Sequence, residues 1–331
     1  MIRVTIMIPD FLPTVKHARR LSRLTVSRLT VAALLIGLPS PGRAQAASQP
    51  PAASQNPSPM MESTRAHERL APKQLAGTSR TFPGPAGKPV EVFIPSDART
   101  RPTFDLVIAF HGAAWVAQQA ADGIKGHPVT AVLNLGAGSG AYDRAFREPF
   151  AFDSLLAGIT RTVSEVALHP SEVGTLTLVG FSAGHGAIRQ ILLDPRNFSM
   201  VDAVLLLDGM HTSYIPEGKV LADSAVLDST NLVAFTSFAR AATGGQKRFI
   251  VTHSEIFPGT FASTTETADW MLKSLGLPRK AVLRWGPRGM QQLSEVRVGK
   301  FLLMGFAGNS APDHIDQLHS MPEMLKELLK P

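Results

Sequence analysis

An α/β fold, with a mostly parallel central sheet and helices on both of its faces, is what this 331-residue sequence predicts. Three observations carry the prediction. Short apolar, β-branched runs recur along the chain; amphipathic stretches of helical period lie between them; and one run passes through a glycine-flanked serine directly into a helical pattern. With 44% hydrophobic side chains the chain can bury a full-sized core, and one main domain is expected.

The elements follow in order. Strands are predicted at PVEVFI (Pro89 to Ile94), FDLVIAF (Phe104 to Phe110), VTAVLNL (Val129 to Leu135), TLTLV (Thr175 to Val179), VDAVLLL (Val201 to Leu207), FIVT (Phe249 to Thr252) and FLLMGF (Phe301 to Phe306). Helical patterns fall at Phe152 to Leu168, Ala183 to Leu193, Asn231 to Ala242, Thr265 to Leu275 and Ile315 to Leu329. Such alternation implies parallel strands joined by right-handed crossovers, and in sheets of this kind functional groups gather at the carboxyl ends of the strands.

The amino-terminal residues stand outside this pattern. Arg19, Arg20, Arg23 and Arg28 precede the apolar run Leu29 to Leu38, and Ala44-Gln45-Ala46 offers small residues at cleavage spacing, so residues 1–46 read as a secretory signal. The run is shorter than the ~20 residues that span a bilayer, which disfavours a retained membrane helix. Residues 47–72, rich in Pro, Ala, Ser and Gln, read as a disordered linker, and the folded domain is expected to begin at Lys73 and fill 73–331. The protein is therefore expected to be secreted or periplasmic.

Charge and composition exclude several function classes. Residues 1–46 hold seven Arg or Lys against one acid, so of the formal +7 only +1 remains in the rest of the chain, and a nucleic-acid surface has little support. The chain has no cysteine, which removes disulfides, thiolate metal sites and a cysteine nucleophile. Its ten histidines are scattered without close ligand spacing, so no metal is expected, and no cofactor. Gly136 to Phe146 (GAGSGAYDRAF) lacks both the third glycine of a dinucleotide fingerprint and the Gly-Lys-Ser/Thr of a nucleotide loop; it reads as the rim of a pocket.

The serine is the chemical signal. In LTLVGFSAGHGAIRQ, Ser182 falls on a sharp strand-to-helix turn, and Gly180 and Gly184 bring no Cβ into the crowded backbone. The turn lifts the hydroxyl out of the sheet, and the helix that follows points its positive end toward it. Upstream, AFHGAAW (Ala109 to Trp115) ends an earlier strand, and 71 residues separate His111 from Ser182, room for two strand-helix units of ~30 residues each.

GFSAG and AFHGAAW resemble the α/β-hydrolase family, and the likeness covers about Leu75 to the C-terminus. The resemblance implies an α/β-hydrolase fold and a serine esterase or lipase-like activity. It implies an oxyanion hole made by the N–H groups of Ala183 and of Ala113 or Gly112, with His111 as a turn residue. HGAA departs from the HGGG of some lipases. The family order of nucleophile, acid and histidine points to His314, in the loop after the last strand, with His319 as its rival. For the acid, Asp208 closes VDAVLLLD, where an ionised carboxylate needs a specific partner, and Glu255 follows the next strand; Asp208 is preferred and Glu255 stays as the alternative.

Trp115 and Tyr142, with Phe181, are candidates for an apolar wall that binds substrate. Gly209 to Thr230 occupies the family's cap position but is too short for an elaborate lid, so an open site is expected. These readings describe a carboxylesterase-like enzyme that acts on a small-molecule ester through an acyl-serine. An amidase or peptidase with the same triad, and a catalytically inactive binding protein of this fold, are the alternatives. The haloalkane and epoxide hydrolases of the family are disfavoured, because they need an aspartate nucleophile where Ser182 stands.

Overall fold

The computed structural model of the chain describes residues 66–330. The expected signal and residues 47–65 of the expected linker lie outside the described residues. An antiparallel pair, β1 (Gly77–Pro83) and β2 (Pro89–Pro95), leads into β3 (Thr103–Phe110), α1 (Ala114–Asp122) and β4 (Val129–Leu133). Next come α2 (Ser139–Arg147), α3 (Ala151–Ala167), β5 (Glu172–Phe181), α4 (His185–Leu193), α5 (Pro195–Met200) and β6 (Ala203–Leu207). A small hairpin, β7 (Tyr214–Ile215) and β8 (Val226–Leu227), precedes α6 (Val233–Thr243), β9 (Arg248–His253) and α7 (Thr264–Leu275). The chain continues through β10 (Lys280–Trp285), β11 (Gln291–Val298), β12 (Phe301–Phe306), α8 (Ala311–His319) and α9 (Met321–Leu328).

Ten strands form one sheet in the order β1-β2-β4-β3-β5-β6-β9-β12-β11-β10. The six central strands, β4 to β12 in that order, run parallel, and antiparallel pairs close both edges. This is the expected α/β-hydrolase fold. Side chains of a strand alternate between faces: Leu106, Ile108 and Phe110 of β3 pack under α2 to α4, whereas Val107 and Ala109 face a second apolar layer with α1 and α9. Both layers hold fully buried side chains, among them Phe235 and Phe249 in the first and Val116 and Leu325 in the second. Among the described residues no helix is long and apolar enough to cross a membrane.

All seven predicted strands and the helical segments are present, with shifted ends. The differences have physical causes. β1 and β10 lie at the sheet edges and read as polar, largely exposed sequence, GTSRTFP and KAVLRW, so they carry no apolar signature. α1 buries Val116, Ala117, Ala120 and Ala121, too small a set of side chains to register as an amphipathic stripe. The glycine-led stretch Gly136 to Phe146 contains helix α2 and not only a loop. The expected helix Ile315 to Leu329 begins earlier, at Ala311, where Ser310 and Asp313 form a capping box, and breaks at Ser320 ahead of Pro322.

The ordered contacts also begin before Lys73. Leu70 N–H donates to His319 Nδ1 at 3.0 Å, His67 Nδ1 lies 2.8 Å from Asp316 Oδ2, and the Leu70 side chain packs on the α1/α9 layer. Residues 66–72, expected in the linker, are thereby tied to α8.

Candidate active site

Register places the site. Phe110 pairs with Gly180 across β3 and β5, and Phe181 pairs with Leu207 across β5 and β6. The residues just past these pairs, His111, Ser182 and Asp208, therefore emerge side by side at the carboxyl edge of the sheet. All three adopt left-handed backbone, with φ of +69°, +47° and +43°. Such angles are strained for residues with a Cβ and persist only where the surroundings hold them.

For Ser182 those surroundings are explicit. A Cβ on Gly184 would stand 2.0 Å from the Phe110 carbonyl oxygen, and one on Gly180 would stand 2.9 Å from Ile188 Cδ1. On Gly186 it would meet the Ser139 carbonyl at 2.4 Å. Glycine at these points lets the bend press against β3, α4 and α2. His185 Nδ1 donates to the Ser182 carbonyl at 2.8 Å and holds the turn from behind. His185 is 1% exposed, and burial, followed by the neighbouring His211, pushes its pKa down to about 3, so it is a neutral positioning group.

Asp208 is 2% exposed and receives four hydrogen bonds: Ser254 N–H at 2.9 Å, Ser254 Oγ and Thr264 Oγ1 at 2.7 Å each, and His314 Nδ1 at 2.7 Å. Burial favours the neutral acid, but the His314 contact and the remaining donors outweigh it and hold the carboxyl well below the usual range. His314 lies in the first turn of α8, not in the preceding loop as expected. With its Nδ1–H given to Asp208, Nε2 carries the lone pair. Ser182, Asp208 and His314 line one cavity of about 170 Å³, and the Phe181 ring packs against His314 at 4.6 Å between centroids.

Glu255 is exposed, and its backbone N–H bonds to the Gly308 carbonyl. The residue of that strand end that reaches Asp208 is its neighbour Ser254. His319 accepts from Leu70 and packs edge-on to Trp115, away from both cavities at Ser182.

The expected oxyanion residues divide. Gly112 N–H donates to Asn134 Oδ1 at 3.0 Å, while Asn134 Nδ2 returns a bond to the Gly112 carbonyl at 3.0 Å. This occupies Gly112 and favours the Ala113 N–H. Ala113 is the residue that precedes α1, and Ala183 is the second residue of the helical turn Ser182–Gly184; N–H groups at helix starts have no intrahelical acceptor.

The two expected substrate-wall residues are elsewhere. Tyr142 is fully buried; its hydroxyl accepts from Leu135 N–H at 3.1 Å and bonds His111 Nδ1 at 3.0 Å. Trp115 packs on the α1/α9 layer and lines neither cavity at Ser182. Tyr142 and Trp115 are thus corrected from substrate contacts to packing groups, because α2 turns Tyr142 inward and α1 turns Trp115 toward α8.

Gly136 to Phe146, expected at the rim of a pocket, does border the site through Ala137, Gly138 and Ser139; most of the other lining residues were not named one by one from sequence. The smaller cavity adds Ile256, Pro258, Phe261 and Ala311, and a second one of about 400 Å³ adds Ser139, Arg189, Ser213 and Asn231. His211 borders both; its Nδ1 donates to the Ala262 carbonyl at 2.9 Å, and burial lowers its pKa. A signal existed: Gly136 to Phe146 and Phe257 to Thr265 follow strands on the functional edge. A larger cavity of about 510 Å³ between β1 and α3 holds neither Ser182 nor His314; the chemistry, not the volume, identifies the site. His67, Asp313 and Asp316 could together reach one ion, but Arg69 and His67 already bond Asp316, and the cluster borders neither Ser182 cavity.

No protein-family model matches the sequence, and no curated protein matches it. Solved structures do. The chain is similar to a feruloyl esterase module from Clostridium thermocellum complexed with sinapinate, with 12% identity and a TM-score of 0.44 over 80% of this chain and 95% of that one. It is similar to an esterase of Pyrobaculum calidifontis (13% identity, TM-score 0.42, 77% and 87% covered). It is similar also to S-formylglutathione hydrolase from Staphylococcus aureus (12% identity, TM-score 0.42, 80% and 100% covered).

Proposed function

We propose that the chain is an exported serine hydrolase that cleaves a carboxylic ester of a small molecule through an acyl-serine. The observation that carries this reading is the 2.7 Å bond from His314 Nδ1 to the buried Asp208 carboxylate, beside a serine held at φ +47° in the same cavity. A serine hydroxyl is a poor nucleophile until a base takes its proton, and these residues supply the base and the group that orients it.

In the proposed sequence, Ser182 Oγ attacks the ester carbonyl carbon while His314 Nε2 takes the hydroxyl proton. Asp208 holds the imidazolium in place. The charge that develops on the carbonyl oxygen is met by the N–H groups of Ala113 and Ala183 and by the positive end of α4. Collapse of the tetrahedral species breaks the bond to the alcohol oxygen, which leaves with the proton from His314. Water then attacks the acyl-serine with His314 as base, and the acid departs with Ser182 restored.

The test is labelling and turnover. A fluorophosphonate probe should modify the wild type at Ser182 and spare Ser182→Ala, and that variant should lose roughly 10⁴-fold or more in kcat on a 4-nitrophenyl ester. Labelling at another residue, or a Ser182→Ala protein that retains turnover, would reject the assignment. Release of residues 1–46 on export would appear as a mature chain with an N-terminus near Ala47.

A further inference from the structure

Two cavities meet at Ser182, and they differ in chemistry. The smaller is walled by Ile256, Pro258, Phe261 and Ala311, whereas the larger presents Arg189, Asn231, Ser139, Ser213 and Thr212, with no carboxylate among its lining residues. Among the described residues that line it, Arg189 is the only formal charge. Its side chain is 14% exposed, and it pairs with Asp143, which is 5% exposed and also takes Arg147 and Gln190 as donors. Two guanidinium groups thus share one carboxylate, and one positive charge is left over.

Other features favour an anion there. Arg189 Nε is buried and has no hydrogen-bond partner among the described residues. The start of α2 at Gly138 and Ser139 also borders the cavity, with no side-chain cap among the described residues, and the N-terminal end of a helix favours negative charge. Burial holds His185 and His211 neutral, which leaves Arg189 as the source of charge.

We propose that the larger cavity is a subsite for a carboxylate carried by the ester substrate, with Arg189 as its counter-charge. This rests on the hydrolase reading of Ser182. Arg189 is seven residues beyond Ser182, about 10 Å along α4, and helical side chains lean back toward the helix start. The carboxylate is therefore separated from the scissile carbonyl by a spacer of several carbons. Arginine suits this task because its planar fork binds carboxylates in a fixed geometry.

The experiment compares pairs matched in length but not in charge. The 4-nitrophenyl monoester of adipic acid against 4-nitrophenyl hexanoate places the carboxylate in the acyl half; 3-butyryloxybenzoate against 3-methylphenyl butyrate places it in the alcohol half. The anionic member of one pair should be preferred by about tenfold or more in kcat/KM, and the pair that shows it assigns the half. Arg189→Gln should abolish that preference, Arg189→Lys should keep part of it, and added salt should shrink it.

Equal rates within both pairs, or an equal loss on both members in Arg189→Gln, would overturn the subsite while leaving the hydrolase standing. If no ester is turned over, the hydrolase reading falls and calorimetric titration with adipate decides the subsite. Binding lost in Arg189→Gln supports it, and no binding to the wild type rejects it.

Discussion

A carboxylate at the end of the apolar strand β6 is stable as an anion only because His314, Ser254 and Thr264 converge on it. Replacing Asp208 by Asn puts an NH₂ donor beside a carbonyl where the carboxylate only accepts, so the His314 tautomer is no longer fixed. Asp208→Asn should therefore lower kcat by roughly 10⁴-fold, while Glu255→Gln should leave it within about threefold, both measured by steady-state ester hydrolysis. The reverse pattern would move the role to Glu255. At this scale much of the site was legible: Ser182 and Asp208 follow from strand ends, and His314 from its place after the last strand. Ser254 and Thr264 were not, because nothing local marks a hydroxyl that will meet a carboxylate 46 or 56 residues away. Tyr142 misled for the same reason, since an aromatic ring near a glycine-rich loop reads alike whether α2 turns it inward or outward.

Helix starts set the geometry that single residues cannot. α8 begins at a capping box in which Ser310 accepts from Asp313 N–H and Asp313 accepts from Ser310 N–H, and the turn so fixed carries His314. Ser310→Ala should destabilise the protein by about 1 kcal/mol, a fall of about 2–4 °C in Tm. It should also lower kcat well below that expected from the unfolded fraction, as seen by assay far below Tm. Unchanged kcat would show that packing alone orients His314. The box lies in plain view as Ser-Ala-Pro-Asp, a carboxylate three residues after a serine, yet the helix was placed four residues late because the apolar pattern begins only at Ile315. Capping signals locate helix starts better than apolar periodicity does. α1 and α2 escaped notice because the first buries small residues and the second opens on glycines.

Across the whole molecule, two buried histidines tie stability to pH. Burial, with His211 nearby, lowers His185 to about 3; burial, with Arg279 beside it, lowers His253 to about 4. Both lie below the ordinary value near 6.5, so the unfolded chain binds more protons than the folded one between pH 6.5 and those values. Stability is then highest above pH 6.5 and falls on acidification toward 4, by up to about 1.4 kcal/mol per pH unit for each histidine. Urea midpoints measured from pH 7 to 4 should trace this decline, and His253→Gln should flatten it. A midpoint independent of pH in that window would refute the linkage. Asp208 acts at lower pH, because its depressed carboxyl loses its stabilising contribution only as pH falls below the ordinary carboxylate range.

The central parallel sheet, the strand-turn-helix at Ser182 and the carboxyl-edge placement of Ser182 and Asp208 were all decided by local pattern. β-branched runs bury themselves on both faces, and a strained elbow between strand and helix admits only glycine where backbone meets backbone. Register and docking were decided elsewhere. Which hydroxyls reach Asp208, that Gly112 is held by Asn134, that Trp115 and Tyr142 turn away, and that Arg189 faces the cavity all depend on elements far apart in the chain packing at one distance. Short-range preferences act over a few residues, whereas these contacts exist only once the whole sheet has been assembled and its helices have settled on it.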